Sequence, residues 1–293
     1  MIRDIKDMTS FKWATVRGLN PLSIQLDGDP TPLALIPDSL VDPFGLTIGD
    51  RVRVELSERK VVVHGKANAG TEGYSLVQQV ILTTSTTFLK ANYPGARAFR
   101  IRVVGGGGSG AGCGGASGAM NSYGTGGGSG AYAESFITNL GTIPSSVAVT
   151  VGAGGAATAA GAIDGNNGGD SSFGSLVVAG GGGRGFFKPN SALGGYVQGG
   201  AGGVATAGQI QQGGSPGQTG MGRDTLAQSG NGGSSIFGGG GQGPATGGGS
   251  SSIAGNPGTA WGAGGSGAMA NAGGTAKASG AGAAGVVIVE VYR

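Results

Sequence analysis

From Phe11 the chain alternates apolar and polar residues with a period of two and shows no helical period. Leu22, Ile24 and Leu26 alternate with polar neighbours before an Asp27-Gly28-Asp29-Pro30 turn, a pattern that predicts a hairpin. After a proline-rich crossing (Pro32, Pro37, Pro43), RVRVEL from Arg51 and KVVVHG from Lys60 flank Ser57-Glu58-Arg59 and predict a second hairpin, with Val52, Val54 and Leu56 facing Val61 and Val63. About five short strands with turn chemistry at each break predict a small, closed or partly closed barrel of the OB type over residues 11–66. Residues 1–10 form a short polar arm, and residues 67–73 read as a linker.

Past the linker, apolar runs stand out of a glycine background. VQQVILTTSTTFLK predicts one strand, and Phe99, Ile101 and Val103 alternate with Arg100 and Arg102 as a strand with one face buried. Further strands are expected near residues 131–140, 145–154 and 171–181. GVVIVEVYR at 285–293 is the strongest β signal and must pair with strands formed before residue 182. The fold class is therefore all-β: an OB-like barrel followed by a glycine-rich β-sandwich over residues 74–293.

Composition changes the picture most here. Of 70 glycines in 293 residues, eight precede position 101. Such sequence ordinarily makes a flexible linker, because glycine loses most entropy on ordering and buries no side chain. An ordered strand closes the far end of this stretch, however, so it reads as an insertion whose two ends return to one sheet. The ordered form open to it is a bundle of polyproline-II segments whose backbones pair with one another. Gly105–Gly108, Gly126–Gly130, Gly180–Gly183, Gly199–Gly203, Gly238–Gly243 and Gly247–Gly249 are the expected segments. Gly239 and Gly240 are expected inside the bundle, and Gly194 and Gly217 in loops. GNNGGDSSFGSLVVAGGGG at 165–183 and GNGGSSIFGGGG at 230–241 form a weak repeat. Residues 116–123, 184–198, 204–229 and 253–261 read as loops.

Charge argues against several functions. The net +3 is spread thinly, with no basic run, so neither nucleic acid nor an acidic membrane is an expected partner. No apolar run reaches membrane-span length, and the first ten residues lack a signal sequence's apolar core, so a product made in the cytoplasm and no membrane insertion are expected. A single cysteine, Cys113, and a single histidine, His64, exclude an intrachain disulfide and any zinc site that needs a Cys/His cluster. His64 lacks a second histidine for a triad and reads as a partly buried or interface residue; Cys113 reads as a small packed side chain. VVGGGGSGAG at 103–112 contains G-x-G-x-x-G, but no helix or acidic ribose partner follows it. Asp164, Asp170 and Asp224 match no known calcium loop and read as solvated loop acids or turn formers. No cofactor, metal or catalytic set is expected, and the chain reads as no enzyme. Phe186, Phe187, Lys188, Tyr196, Met221, Arg223 and Trp261 are the binding candidates, since aromatic and arginine side chains dominate interface hot spots and stack on sugar rings. The competing reading is that they plug the ends of the glycine bundle.

NPLSIQLDGDPTPLALIPDSL with GDRVRVEL and KVVVHGKANAG resembles the N-terminal segment of minor tail proteins of phages infecting actinobacteria. TTSTTFLK, AFRIRVVGGGGSGAG, VAVTVGAGG, SSFGSLVVAGGGG and GVVIVEVYR resemble the glycine-rich domain of phage tail proteins. The resemblance implies a virion protein of the phage tail tip, a homotrimer, whose first domain docks on other phage tail proteins. Its second domain would contact a host cell-surface glycan or protein. Two alternatives come from other classes: a glycine-rich ice-binding or cell-wall structural protein, which would need secretion and a flat repeated face, and a cell-wall-degrading enzyme of the tail tip.

Overall fold

A computed structural model describes residues 10–40, 46–57, 60–66, 74–191 and 195–293; the arm expected over 1–10 lies almost wholly outside the described residues, and the 67–73 linker wholly so. The chain divides into two compact units, Met1–Gly73 and Tyr74–Arg293. Both are built of strands, and the helical turns among the described residues are of the 3-10 kind.

In the first unit β1 (Ser10–Leu19), β2 (Leu22–Leu26), β3 (Asp38–Ser39), β4 (Arg51–Ser57) and β5 (Lys60–Lys66) form one half-barrel sheet in the order β2-β1-β4-β5-β3. The alternation works as the pattern predicts: Ile24, Val52, Val54, Val61 and Val63 turn inward with Ala14 and Val16 to make the core. The hairpin that holds Leu22, Ile24 and Leu26 turns at Asn20-Pro21, however, because β2 pairs back onto β1. Asp27-Gly28 instead carries the chain out of the sheet, with Gly28 at φ 94°. The outer face is more aromatic than the sequence suggests. Phe11 and Trp13 are 50% and 42% exposed, with Arg53 over the Phe11 ring and Arg51 over Trp13. Most charges here are paired: Arg51 with Asp27, Lys66 with Asp50, and His64 with Glu55 at 2.5 Å.

The second unit rests on two five-stranded sheets. One has the order β17 (Ile210–Gln212), β10 (Tyr132–Ile137), β8 (Ala98–Val104), β22 (Val286–Tyr292), β6 (Leu76–Leu82). The other runs β16 (Ala205–Ala207), β13 (Val177–Ala179), β12 (Ser171–Phe173), β11 (Ser146–Thr150), β7 (Thr86–Leu89). Phe99, Ile101, Val103, Val287, Val289 and Val291 of the first sheet meet Phe88, Val147, Val149, Phe173 and Val177 of the second in a single core. The C-terminal strand β22 lies between β8 and β6, so both flanking strands come from before residue 105. The expected single strand over 77–90 is two strands, because the chain crosses between the sheets near Ser85, whose hydroxyl accepts the Val151 N–H.

The glycine stretch is ordered backbone, and its hydrogen bonds reveal its helical period. Gly105, Gly108 and Ala111 donate to Ala131, Gly128 and Thr125; Gly106, Ser109 and Gly112 donate to Gly169, Asn166 and Ile163; Gly107, Gly110 and Cys113 donate to Ala283, Gly280 and Lys277, all at 2.9–3.1 Å. Every third residue thus faces the same neighbour, which requires three residues per turn: the polyproline-II period. The carbonyls point between these neighbours, where Gly182 and Gly185 bond Gly106 and Ser109, Gly265 and Ala268 bond Gly108 and Ala111, and Gly155 bonds Gly107. A segment with six neighbours has no room for a side chain at most of its positions. A Cβ on Gly107 would lie 2.1 Å from the Ala263 carbonyl oxygen, and one on Gly128 2.0 Å from that of Ala201. The G-x-G-x-x-G run sits in the middle of this bundle with every backbone N–H bonded to a neighbouring segment, so it has none to turn toward a phosphate.

Membership of the bundle departs from the glycine count in both directions. Gly240 is enclosed, but Gly239 and Gly247–Gly249 have open space where a Cβ would stand. Gly217, expected in a loop, is enclosed, since a Cβ there would lie 2.1 Å from the Gly126 carbonyl oxygen; Gly194 lies outside the described residues. Residues 163–169, 213–218, 262–268 and 277–285, mixed with Ala, Ser and Asn, supply further hydrogen-bonded segments. Residues 204–229, expected as a loop, give β16, β17, a bundle segment and part of a distal sheet in succession.

Side-chain oxygens complete the bundle where no carbonyl is in reach. The Oδ1 atoms of Asp170, Asn167 and Asp164 accept the N–H groups of Gly181, Arg184 and Phe187 at 2.8, 2.9 and 3.1 Å. This three-residue spacing repeats the period of the segment it serves. The two aspartates are therefore built into the backbone pairing, while Asp224 occupies a hairpin turn at φ 51°. Inside, the buried hydroxyls of Ser109, Ser129 and Ser266 accept the N–H groups of Asn166, Ser215 and Asn256, each at 2.8 Å.

Candidate functional site

Two small sheets cap the bundle at the end remote from the sandwich. One has the order β14 (Phe187–Ser191), β9 (Asn121–Gly124), β21 (Met269–Ala270), β20 (Ser252–Ile253), and the other β15 (Gly195–Val197), β18 (Gly220–Arg223), β19 (Leu226–Gln228). The second lies on the first through Tyr123 of β9. This ring is fully buried, with Ala227, Met269 and Val197 around it, and its hydroxyl donates to the Gly195 carbonyl at 2.8 Å. Burial raises the Tyr123 phenol above its ordinary pKa, so it remains a donor. Gly220 and Gly222 are required at this seam, since a Cβ on either would stand 2.8 Å or less from the Tyr123 ring or the Asn121 side chain.

With glycine on the inner face of β18, Met221 and Arg223 occupy its outer face. Tyr196 stands opposite Met221 from β15, and Gln228 and Leu226 stand opposite Met221 and Arg223 from β19. Tyr196 is 80% exposed and Met221 54%. Arg223 lies 3.7 Å from Asp224, with both side chains in solvent, so its guanidinium is available to a ligand. The structure thus brings Tyr196, Met221 and Arg223 onto one face.

Phe187 and Lys188 lie at the same end of the unit on β14, both half-buried, paired with Gly124 and Tyr123. Phe186 adjoins them, with the Arg184 guanidinium 5.6 Å above its ring. Trp261 does not belong to this group. It packs edge-on against Phe237 beside Gly262, which bonds Ala284 and Gly130 where the bundle meets the sandwich. From there the segment 262–268 climbs to the cap, a distance of about 19 Å at ~3.1 Å per residue. Sequence reasoning missed Leu226, Gln228 and Arg184. Arg223-Asp224-Thr225-Leu226 is a two-residue hairpin turn, and a search for such turns would have found the first two.

At the other end of the unit the outer face of the first sandwich sheet holds a charged network. Arg100 donates to both carboxylate oxygens of Glu134 at 2.7 and 3.2 Å, and Arg102 and Gln79 donate to Glu290 at 2.5 and 3.1 Å. Burial by itself would raise the Glu134 pKa, but hydrogen bonds from Arg100 and the Tyr132 hydroxyl outweigh it and hold the carboxyl below its ordinary value. Tyr74, Phe136 and Tyr292 lie beside this network as an edge-on aromatic row. Cys113 is buried, and burial pushes its thiol up to about 11. Among the described residues no three His, Cys, Asp or Glu side chains gather as metal ligands, and no helix is long and apolar enough to cross a membrane.

No curated protein matches the chain. A family profile described as a glycine-rich domain matches residues 83–292, which takes in nearly the whole sandwich, the bundle and the cap. That match spans well over half of the sequence, and the protein belongs to the glycine-rich domain family.

Proposed function

We propose that the chain is a structural protein of a bacteriophage virion, a minor tail or tail-tip component, and that the cap of its second unit contacts the host surface. One observation carries the reading: the cap presents an exposed Tyr196–Met221–Arg223 face at the end of the unit opposite to Tyr74 and to Ser75 and Arg293, which exchange backbone hydrogen bonds. Strand rises of ~3.3 Å and polyproline-II rises of ~3.1 Å place that face about 50 Å from Tyr74. Every N–H of the central segment between them, Gly105–Cys113, is bonded to a neighbouring segment, so the face is held at reach by ordered backbone. A flat aromatic ring beside a thioether and an exposed guanidinium suits the stacking and bidentate hydrogen bonding by which proteins hold sugars and polar protein surfaces.

The first unit fits the docking half of the role. Its exposed Phe11 and Trp13, each under an arginine, are anchors of the kind that protein interfaces use, and the paired charges around them favour another tail protein over a nucleic acid. No catalytic set enters the proposal: the chain binds and positions.

The test is direct. Mass spectrometry of purified particles should find the chain, and the full-length protein added to host cells should slow adsorption of those particles, whereas Tyr196→Ala/Met221→Ala protein should not. Absence of the chain from purified particles would overturn the virion assignment. Undiminished competition by the double variant would overturn the role of the cap.

A further inference from the structure

The outer sheet of the cap holds a cavity of about 210 Å³, and the register of two strands sets its plan. Met221 pairs with Gln228, Gly222 with Ala227, and Arg223 with Leu226. Residues two apart on a strand share a face, so Met221 and Arg223 of β18 and Gln228 and Leu226 of β19 stand at four corners. These corners are ~7 Å apart along the strands and ~5 Å apart across them. The floor between them is backbone, because Gly222 has no side chain and Ala227 packs on Tyr123 beneath. Ala245 and Thr246 close one side, where Ala245 bridges to Gln228.

The backbone of this rim is already fixed. Asn121, buried below, donates to the Asp224 carbonyl at 2.7 Å and pins the turn that carries Arg223. Asn271 accepts the Ala227 N–H at 2.8 Å and holds β19 in the same way. An occupant therefore has only the exposed side chains to order.

The corners alternate in chemistry. Met221 and Leu226 make one apolar diagonal; Arg223 and Gln228 make the other and, with Thr246, supply hydrogen bonds. Among the described residues no carboxylate lines the cavity. Asp224 approaches the Arg223 Nε at 3.7 Å, beyond hydrogen-bond distance, so the donor edge of the guanidinium is left to an occupant. A planar edge of that kind matches a carboxylate. The volume lies below the ~300–1,000 Å³ of sites for drug-sized ligands, which leaves room for a single ring. A protein side chain is apolar with at most one polar tip, or a charged group on a thin stem, and either leaves one diagonal unmatched. A sugar ring carries C–H groups and hydroxyls around its whole edge and matches both.

We infer that the cavity holds one pyranose ring bearing a carboxylate, a uronic acid unit of a surface glycan. Its carboxylate faces Arg223, its hydroxyls face Gln228 and Thr246, and its C–H groups pack on Met221 and Leu226. Tyr196, opposite Met221 on β15, is left for the neighbouring ring of the chain. The assignment rests on the attachment reading of this face and names its ligand.

Saturation-transfer NMR on the full-length protein, with glucuronate, glucose and acetate as probes, tests it. Glucuronate should bind about tenfold tighter than glucose, as one charge-assisted contact at an exposed site gives. Acetate, which has the charge without the ring, should not displace it at equal concentration. Arg223→Gln changes a side chain that is 91% exposed, so the variant should fold and lose the preference for glucuronate. Ala245→Trp, also at an exposed position, should fill the cavity and block both sugars. Equal binding of the two sugars by the wild type, an undiminished preference in Arg223→Gln, sugar binding that survives Ala245→Trp, or no transfer to either sugar would overturn the inference. Adsorption competition is a separate readout. Protein that slows adsorption but takes up no glucuronate removes the ligand and keeps the attachment reading, whereas protein that binds glucuronate without slowing adsorption keeps the ligand and removes that reading.

Discussion

Replacing Gly128 by alanine adds one methyl group where the structure has none to spare. The new Cβ would stand 2.0 Å from the Ala201 carbonyl oxygen, so one of the two segments must move by about 1.2 Å to restore ordinary contact. Neither is free to do so. The Ala201 oxygen accepts the Gly183 N–H at 2.7 Å, and Gly128 donates to the Gly183 carbonyl at 2.8 Å while accepting from Gly108 at 2.9 Å. A shift of that size breaks at least one of these bonds. Overpacking costs about 1–3 kcal/mol, and a buried N–H left without a partner about 1–3 kcal/mol more, so Gly128→Ala should cost roughly 3 kcal/mol or above. For a unit of this size ~1 kcal/mol moves Tm by about 2–4 °C, which gives a fall of about 6–12 °C in calorimetry. Gly239 is the control: nothing lies within 4 Å of its Cβ position, and alanine there should change stability by less than about 0.5 kcal/mol. Equal melts for the two variants would refute the claim that close backbone approach, rather than glycine content, holds the unit together.

Three further outcomes follow from particular residues. Asn167→Ala removes the acceptor of the exposed Arg184 N–H and should cost about 0.5–1.5 kcal/mol, and because Asp164 and Asp170 serve as backbone acceptors, the wild-type melt should be the same with and without a chelator. Glu134 has its pKa lowered in the folded chain, so its stabilising contribution is complete above the unfolded carboxyl range near pH 4.3 and is lost as pH falls through the folded value; denaturation from pH 7 to pH 3 should show a shallower acid loss for Glu134→Gln, and identical slopes would remove the residue from the acid transition. Tyr196→Ala and Met221→Ala should leave Tm within about 1 °C of wild type, since neither side chain is buried, so any lost binding to host cells can be assigned to the face and not to misfolding.

The strands were legible because they alternate. Val52/Val54 against Val61/Val63, Phe99/Ile101/Val103 and the run from Val286 all bury the residues their period selects. The turn at Asn20-Pro21 was harder to read because Asp27-Gly28 carries the stronger turn chemistry. The bundle was legible as a principle and not as a map. Its period of three lies in hydrogen bonds between residues far apart in sequence, so a glycine run says that backbones approach closely without saying which backbones. Gly239 stands in a run of four glycines and has open space where a Cβ would stand, whereas Gly217, between Pro216 and Gln218, is enclosed. The spacing Asp164, Asn167, Asp170 was a signal in plain view, but it acquires meaning only once a neighbouring strand of period three is known. The outer sheet of the cap was hidden because its strands are three or four residues long and β18 alternates glycine with single large residues, as Gly220-Met221-Gly222-Arg223.

This division of labour explains how a chain so poor in apolar side chains holds a rigid form. The entropy lost in ordering glycine is greater than for any other residue, and the bundle offsets it by giving every N–H of its central segment, Gly105–Cys113, a partner on another segment while burying no side chain larger than Ser or Cys there. Its stability therefore rests on registry among segments, and registry is set at both ends: by the sandwich, where Gly105, Ala131 and Gly180 continue directly from β8 into β10 and out of β13, and by Tyr123 in the cap. Residues that face outward from the cap carry none of that registry. Tyr196, Met221, Arg223, Leu226 and Gln228 can be exchanged without disturbing a single hydrogen bond of the bundle, which is the property a surface needs if its specificity is to change while its support does not.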